Sequence, residues 1–249
     1  MSKLTNKVAV ITGGSSGIGL EAGRLFAAEG ARVVLFARGK EALSAAQRSL
    51  GKDVHVIQGD VGDSAAQARL FEEVHRSHGR VDVLFANAAV VKLAPIAQTT
   101  DEVFDQIVTT NMKGAYVTLR QAIPVLSDGA SVILTTSWLN RMGFAGSSVV
   151  AMTKAAVRAL VRVAAAELGP RKIRVNAISP GAIETPLWGK LGLPEETLKS
   201  AGAAITSQIP VGRWGKAEEI AQAALFLASE ASSYVNGQEL QVDGGLRQA

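Results

Sequence analysis

The sequence predicts an α/β fold in which a doubly wound, seven-stranded parallel sheet carries helices on both faces. Three observations predict it. Short runs rich in β-branched residues are almost continuously apolar, as strands buried on both faces should be. Longer stretches with helical apolar spacing separate these runs, and such alternation is typical of parallel strands joined by right-handed crossovers. A glycine-rich turn lies between the first apolar run and the first helical stretch.

The elements follow one another in a regular order. After the glycine-rich turn, Ala22, Leu25 and Phe26 fall on one face of a helix. Asp63 and Ser64 are candidate N-cap residues for a later helix that runs to about residue 75. We expect strands at residues 8–12, 32–37, 54–58, 83–86, 131–136, 173–178 and 239–242. We expect the other helices at residues 19–29, 101–126, 149–168 and 217–229.

Seven strands fit one sheet, so residues 1–249 are expected to form a single domain. The least regular stretch is 180–211, which contains Pro186, Pro194 and Pro210. A long irregular segment in a compact domain is usually a lid or a binding segment, and we expect a substrate-binding segment here. A surface excursion without a function is the alternative.

Composition excludes several classes of function. Apolar residues make up 47% of the chain and charged residues 19%, which predicts a folded protein. The net charge of +4 is too small and too dispersed to indicate a nucleic-acid partner. The chain has no cysteine, which excludes disulfides and a thiol nucleophile. No apolar run approaches about 18 residues and no signal peptide is evident, so we expect a cytoplasmic protein with no membrane partner.

The glycine-rich turn runs from Thr12 to Gly19 as TGGSSGIG. Glycines permit a tight turn and let backbone N–H groups approach a phosphate, and the N-terminus of the following helix favours the anion. A glycine pattern alone is weak evidence, because it can mark only a turn. Its position between a strand and a helix near the start of the chain favours a dinucleotide-binding site.

The residues after the second strand favour NADP(H) over NAD(H). An acid at the end of this strand would bind the ribose 2′-hydroxyl, but the residue there is Ala37, followed by Arg38. Arg38 can pair with a 2′-phosphate, and Ser15 can donate another hydrogen bond. Asp60, after the third strand, can accept from the adenine amino group. Alternatively, Arg38 is only a solvated arginine at a strand end and Asp60 only an ordinary loop aspartate, and neither binds a cofactor.

With this turn and a Ser137…Lys154 pair downstream, the chain resembles the short-chain dehydrogenase/reductase family along nearly its whole length. Further matches are Asn87-Ala88-Ala89, where the family has Asn-Ala-Gly, and the segment from Val242 to Gly245. The resemblance implies a Rossmann fold, hydride transfer between NAD(P)H and a carbonyl or alcohol, and a homotetramer. It implies that Asn111, Ser137 and Lys154 belong to the catalytic set. It also implies a cofactor site formed by Gly13, Ser15, Ser16, Gly17, Ile18, Gly19, Arg38, Asp60, Val61, Asn87, Lys154, Pro180, Gly181, Ile183 and Thr185.

One residue departs from the family pattern. The family places a tyrosine four residues before its lysine, whereas this chain has Val150 four residues before Lys154. The chain has two tyrosines, Tyr116 and Tyr234, and neither lies at this spacing. Positions i and i+4 share a helix face, so a tyrosine at position 150 would lie beside Lys154. Valine has no proton to donate, and general acid–base assistance is typically worth about 10²–10⁴ in rate.

Three interpretations of Val150 remain open. The valine is a native adaptation to a substrate that does not need the phenol, such as an iminium ion, or another group supplies the proton. Alternatively, it was engineered into an ordinary carbonyl reductase. In the third interpretation, the chain is a catalytically inactive NADP(H)-binding subunit. Retention of Ser137 and Lys154 favours an oxidoreductase, whose preferred reaction is carbonyl or imine reduction on a small hydrophobic molecule.

Two residue patterns, one of basic residues and one of histidines, have both a functional and a purely structural interpretation. Lys154, Arg158 and Arg162 recur at helical spacing and could form a solvated basic stripe, in which Arg158 and Arg162 are surface or interface residues. His75 and His78 lie three residues apart, a spacing that suits a metal, but no third ligand is evident. We therefore expect no metal site.

Overall fold

The computed structural model describes residues 2–51, 53–191 and 195–247. Its main sheet has seven parallel strands, which are β1 (Val8–Thr12), β2 (Arg32–Ala37), β3 (His55–Gln58), β4 (Val81–Ala86), β5 (Leu126–Thr135), β6 (Arg174–Pro180) and β9 (Glu239–Val242). They lie side by side in the order β3-β2-β1-β4-β5-β6-β9. The order reverses between β1 and β4, as in a doubly wound sheet. The predicted fold class is confirmed.

Helices cover both faces of the sheet. Apolar side chains of α1, α2 and α8 pack with one strand face, and those of α3, α5 and α6 pack with the other. The β-branched residues of the five inner strands are buried, because these strands are covered on both faces, whereas the edge strands β3 and β9 are only partly buried. The helices are α1 (Gly17–Ala28), α2 (Lys40–Leu50), α3 (Ser64–His78), α4 (Asp101–Ile107), α5 (Gly114–Ala122), α6 (Ser148–Leu168), α7 (Glu195–Thr206) and α8 (Ala217–Ala228).

The helical stretch predicted over 101–126 is confirmed as far as residue 125, where β5 follows at Leu126. Its geometry is not uniform, because a π-helical segment, Val108–Lys113, separates α4 from α5. Apolar spacing does not reveal such a bulge, because the flanking turns remain helical. The bulge carries Asn111 and therefore bears on the site.

Several further elements were missed. Helix α2 buries only Leu43 and Ala46, which leaves too few apolar positions to show a helical period. The stretch 180–211 is more regular than expected, since it contains β7 (Ile183–Glu184), a 3₁₀ turn (Trp188–Lys190) and α7. Strand β7 pairs with β8 (Gly215–Lys216) in a small second sheet. The predicted Pro194 lies outside the described residues.

His75 and His78, three residues apart near the end of α3, contact different groups. His78 meets His55 of the edge strand β3, with Nε2 of His78 and Nδ1 of His55 3.4 Å apart. His75 contacts the backbone carbonyl of Gly79. Desolvation, the His55 ring and the Arg32 guanidinium all hold the pKa of His78 below its ordinary value of 6.5.

This contact predicts a pH-dependent stability. The folded chain binds fewer protons at His78 than the unfolded chain does, so the free energy of unfolding falls as the pH drops through about 6.5. We expect His78→Asn to flatten the pH dependence of unfolding in urea between about pH 7 and 5. His75→Asn is the matched control, because His75 does not touch His55. Identical slopes for wild type and His78→Asn would contradict the prediction.

No helix within the described residues is long and apolar enough to cross a membrane.

Candidate active site

A large cavity lies at the carboxyl edge of the main sheet. Its volume is about 760 Å³, and the residues that end β1, β2, β4, β5 and β6 surround it. Ligands of open α/β sheets bind at this edge, next to the point where the strand order reverses. The cavity therefore lies where the fold predicts a site.

The glycine turn forms one wall of this cavity. Gly13 has φ +67°, and a Cβ atom there would lie 2.9 Å from the Ala88 Cα. Gly17 opens α1 with φ +53°, and a Cβ there would press against Thr185. The side chain of Ser16, the N-cap residue, makes no capping hydrogen bond to the helix. The first N–H groups of α1 and the Ser16 hydroxyl are thus placed to bind an anion.

Gly19 has a different role from the other turn glycines. It is buried and does not lie on the cavity wall. A Cβ atom at this position would lie 2.3 Å from the Gly13 carbonyl oxygen and 2.9 Å from Asn87 Nδ2. Gly19 therefore lets α1 pack directly against the turn, and it shapes the cradle without touching a ligand.

Arg38 and Asp60 lie together at the far end of the cavity. Arg38 Nη1 is 3.6 Å from Asp60 Oδ2, and both side chains are largely exposed. Asp60 Oδ1 also accepts a hydrogen bond from Gly62 N at 2.8 Å. An exposed ion pair of this kind is worth about 0–1 kcal/mol, so a ligand phosphate can displace Asp60 from Arg38.

A hydrogen-bonded chain of polar groups crosses the middle of the site. Thr12 Oγ1 accepts from the backbone N–H groups of Asn87 and Ala88 at 3.1 and 3.2 Å. Thr135 Oγ1 donates to Asn87 Oδ1 at 3.2 Å, and Lys154 Nζ donates to the Thr135 carbonyl at 2.7 Å. Sequence reasoning missed Thr12 and Thr135, because their roles depend on three strand ends meeting at one edge.

Lys154 is buried, with only 4% of its surface exposed, although its side chain lines the cavity. Burial disfavours the ammonium form and lowers the pKa of Lys154 to about 8. The alternative of a solvated basic stripe is thus wrong for Lys154. Arg158 forms an ion pair with the buried Glu239 at 2.9 Å, and Arg162 is exposed.

Asn111 does not line the cavity. It lies on the π bulge and is 1% exposed. Its Oδ1 accepts from Val90 N at 2.8 Å, and its Nδ2 donates to the Val90 carbonyl at 2.9 Å. Asn111 therefore fixes the loop after β4, and Val90 of that loop forms part of the cavity wall.

The remaining site residues lie at the other end of the cavity. Ser137 follows β5, and its Oγ accepts from Leu139 N at 3.3 Å, which leaves its hydroxyl hydrogen free to donate toward the cavity. Val150 also lines the cavity, one helical turn before Lys154. A third apolar cluster surrounds this end. Its aromatic members are Trp138 and Phe144, with ring centroids 5.5 Å apart, and Trp188 and Trp214, 4.6 Å apart.

The segment that follows β6 forms another wall of the cavity. Gly181 N donates to the Val242 carbonyl at 3.0 Å, and a Cβ at Gly181 would lie 2.6 Å from the Asp243 Cα. The segment from 242 to 245 thus supports this wall from behind. The predicted residues of the segment that line the cavity are Pro180, Gly181, Ile183 and Thr185.

Comparison with known proteins identifies the family. A family model described as Enoyl-(Acyl carrier protein) reductase matches residues 13–247. Oxidoreductase asL5 of Sarocladium schorii is 39% identical over 250 residues, which cover 100% of this chain and 98% of that protein. The 3-oxoacyl-(acyl-carrier-protein) reductase FabG of Thermotoga maritima is 39% identical, and the match covers 98% of this chain and 99% of that protein.

The crystal structure of levodione reductase superposes on this chain with a TM-score of 0.93 at 34% sequence identity. The superposition covers 99% of this chain and 100% of the levodione reductase chain. The chain belongs to the short-chain dehydrogenase/reductase family. Its fold and its class as an oxidoreductase follow from this membership. These matches give no support to a non-catalytic subunit.

Members of this family use a nicotinamide cofactor, and the residues present fit one. Ser16 and Gly17 at the N-terminus of α1 line the cavity, and the Ser16 side chain makes no capping hydrogen bond to the helix, so these groups are placed for a phosphate. All the site residues expected from the sequence line the one cavity except Gly19 and Asn111. The residues that would hold the cofactor are Gly13, Ser15, Ser16, Gly17 and Ile18 of the glycine turn, Arg38, Asp60, Val61, Asn87, Lys154 and the segment from Pro180 to Thr185.

Proposed function

We propose that this chain is an NADP(H)-dependent oxidoreductase that reduces a small, hydrophobic carbonyl or imine, with Val150 at the position where the family has its catalytic tyrosine. One observation carries the proposal. A single cavity holds a phosphate cradle and Arg38 at one end, and Ser137, Lys154 and an aromatic wall at the other. The bound cofactor supplies the hydride.

The charges around the cavity favour a neutral substrate. Asp60 is the one carboxylate on the described part of its wall. Asp60 follows β3, four strand spacings from β5 and Ser137, which is roughly 19 Å at the usual spacing. A permanently cationic iminium ion would find no carboxylate near Ser137 on the described cavity wall, so we expect it to bind more weakly than a neutral substrate, although hydride can reduce it without a proton. A ketone or a neutral imine fits this end better.

The chain's own residues can orient such a substrate. The Ser137 hydroxyl donates to the carbonyl oxygen or imine nitrogen, and the four aromatic rings exclude water around the reacting carbon. Lys154, held by the Thr135 carbonyl, is placed to bind the nicotinamide ribose. Val150 contributes space and no proton.

Arg38 gives a prediction on cofactor choice. Arg38→Ala should weaken NADPH binding by about tenfold or more, the worth of one charge-assisted hydrogen bond, and leave NADH binding unchanged. Lys40→Ala is the matched control, because Lys40 is an exposed cation two residues away that does not line the cavity. Fluorescence titrations with both cofactors measure the effect. Equal losses for NADPH and NADH would contradict the assignment of Arg38 to the 2′-phosphate.

We also propose self-association as a homotetramer. Helices α5 and α6 expose a group of apolar side chains near a shallow groove. Tyr116 is 51% exposed and Met152 is 54% exposed, and uncovered apolar surface of this kind is typical of a subunit interface. Light scattering tests the proposal.

The function is tested by NADPH oxidation on matched ketones and cyclic imines that carry aromatic rings. The proposal expects turnover above the rate without enzyme, with NADPH preferred over NADH. Saturable NADPH binding without turnover on any member of the panel would instead support the inactive, cofactor-binding alternative.

A further inference from the structure

Reduction of a neutral carbonyl needs a proton as well as a hydride, and the cavity wall offers few donors. Its ionisable side chains, among the described residues, are Arg38, Asp60, Lys92 and Lys154. Arg38 does not deprotonate near neutral pH. Asp60 lies at the cofactor end and pairs with Arg38. Lys92 is exposed, whereas Lys154 is buried next to the altered position 150.

Other acids can be set aside on their positions. Tyr116 and Tyr234 are exposed and lie off the cavity wall. The Ser137 hydroxyl is on the wall, but an alcohol is a far weaker acid than an ammonium group. The three histidines do not line the cavity. Lys154 is therefore the buried acid on the described cavity wall, one helical turn from Val150.

The environment of Lys154 suits proton transfer. Its Nζ uses one N–H on the Thr135 carbonyl at 2.7 Å, so two hydrogens remain. Burial alone lowers the pKa of this amine to about 8, and no charged side chain of the described residues contributes to the shift. An acid that titrates near the working pH is an efficient donor. The side chain of Val150 stops at its γ carbons, which leaves room for a water between Nζ and a carbonyl at Ser137.

We propose that Lys154 is the catalytic acid of this chain and delivers the proton to the substrate oxygen, directly or through one water beside Val150. The proposal rests on the proposed function. In the step, a C–H bond forms as hydride reaches the carbonyl carbon, and the C=O π pair moves to oxygen. One N–H bond of the ammonium breaks and an O–H bond forms. The carbonyl is reduced, the nicotinamide is oxidised, and solvent later reprotonates the amine.

The first test needs no turnover. Isotope-labelled lysine is incorporated, and the ammonium groups are titrated by nuclear magnetic resonance in the protein without cofactor. The signal that disappears in Lys154→Met is assigned to Lys154. We expect this signal to titrate near pH 8, well below the ordinary lysine pKa of 10.5. Titration together with the exposed lysines would overturn the proposal.

The second test separates proton delivery from cofactor binding. A bicyclic ketone and the N-methyl iminium ion of the same ring size are compared at saturating NADPH, because only the ketone needs a proton. For Lys154→Met we expect ketone turnover to fall by about 10²-fold or more beyond any loss on the iminium ion, because weaker cofactor binding lowers both rates equally. Equal losses on both substrates would mean that Lys154 only holds the cofactor, and the proposal would fail.

Further variants cover the remaining outcomes. Small primary amines should restore ketone turnover to Lys154→Ala in proportion to their concentration, and should not affect the wild type. A selective loss of ketone turnover in Lys92→Met would move the role to Lys92 and overturn the proposal. Absence of hydride transfer from the wild type to either substrate would refute the proposed function itself, which is a distinct result.

Discussion

Replacing Val150 by tyrosine should raise ketone turnover by about 10²-fold or more, because the phenol would add a second general acid beside Lys154 and such an acid is worth about 10²–10⁴ in rate. The new phenol would lie on the cavity wall one turn before Lys154. A nearby ammonium stabilises phenolate and lowers the pKa of a tyrosine, which brings the phenol closer to the working pH. The measurement is kcat for a ketone at saturating NADPH, for wild type and variant side by side.

Val150→Phe is the control for this substitution. It fills the same space as tyrosine but has no proton, so it should give no gain and should lower turnover on bulky substrates. NADPH affinity should be the same in all three proteins, because Val150 lies at the substrate end of the cavity. If tyrosine lowers turnover as much as phenylalanine does, the native substrate needs the space and the valine is part of the mechanism.

Replacing Gly19 by alanine should disrupt the cofactor site without touching a ligand. The added Cβ would lie 2.3 Å from the Gly13 carbonyl oxygen, which belongs to the backbone and cannot rotate away. The turn or α1 must shift. We expect a loss of about 1–3 kcal/mol in the free energy of unfolding, as for other overpacked sites, together with a large loss of NADPH affinity.

Gly169→Ala is the matched control, because a Cβ there meets no atom within 4 Å. It should change neither stability nor NADPH affinity. Urea unfolding and NADPH titration measure both effects. Wild-type affinity in Gly19→Ala would show that α1 need not pack tightly on the turn, and the proposed role of Gly19 would be wrong.

The sequence predicted the fold class and the parts of the cavity that depend on local patterns. The turn from Thr12 to Gly19 combines a strand, glycines and a helix in one short segment, so its place at the cavity could be inferred. Lys154 and Val150 share a helix face by spacing alone, and both do line the cavity. The family resemblance placed Ser137 and the segment after β6 beside them.

Contacts that depend on several distant segments could not be predicted. The partner of Asn111 is the backbone of Val90, which requires both the π bulge and the loop after β4. Thr135 meets Asn87 and Lys154 only because β4 and β5 end at the same edge. Likewise His55 reaches His78 across an edge strand and a helix end. The spacing of these residues in the sequence does not predict their contacts.

The central claim is that this chain transfers hydride from NADPH although Val150 replaces the family's tyrosine. The most direct measurement uses NADPH deuterated at the transferring position and analyses the product of an aromatic ketone by mass spectrometry. The account predicts one deuterium per product molecule, and much less product from Lys154→Met. NADPH that binds but transfers no deuterium to any ketone or imine in the panel would contradict it.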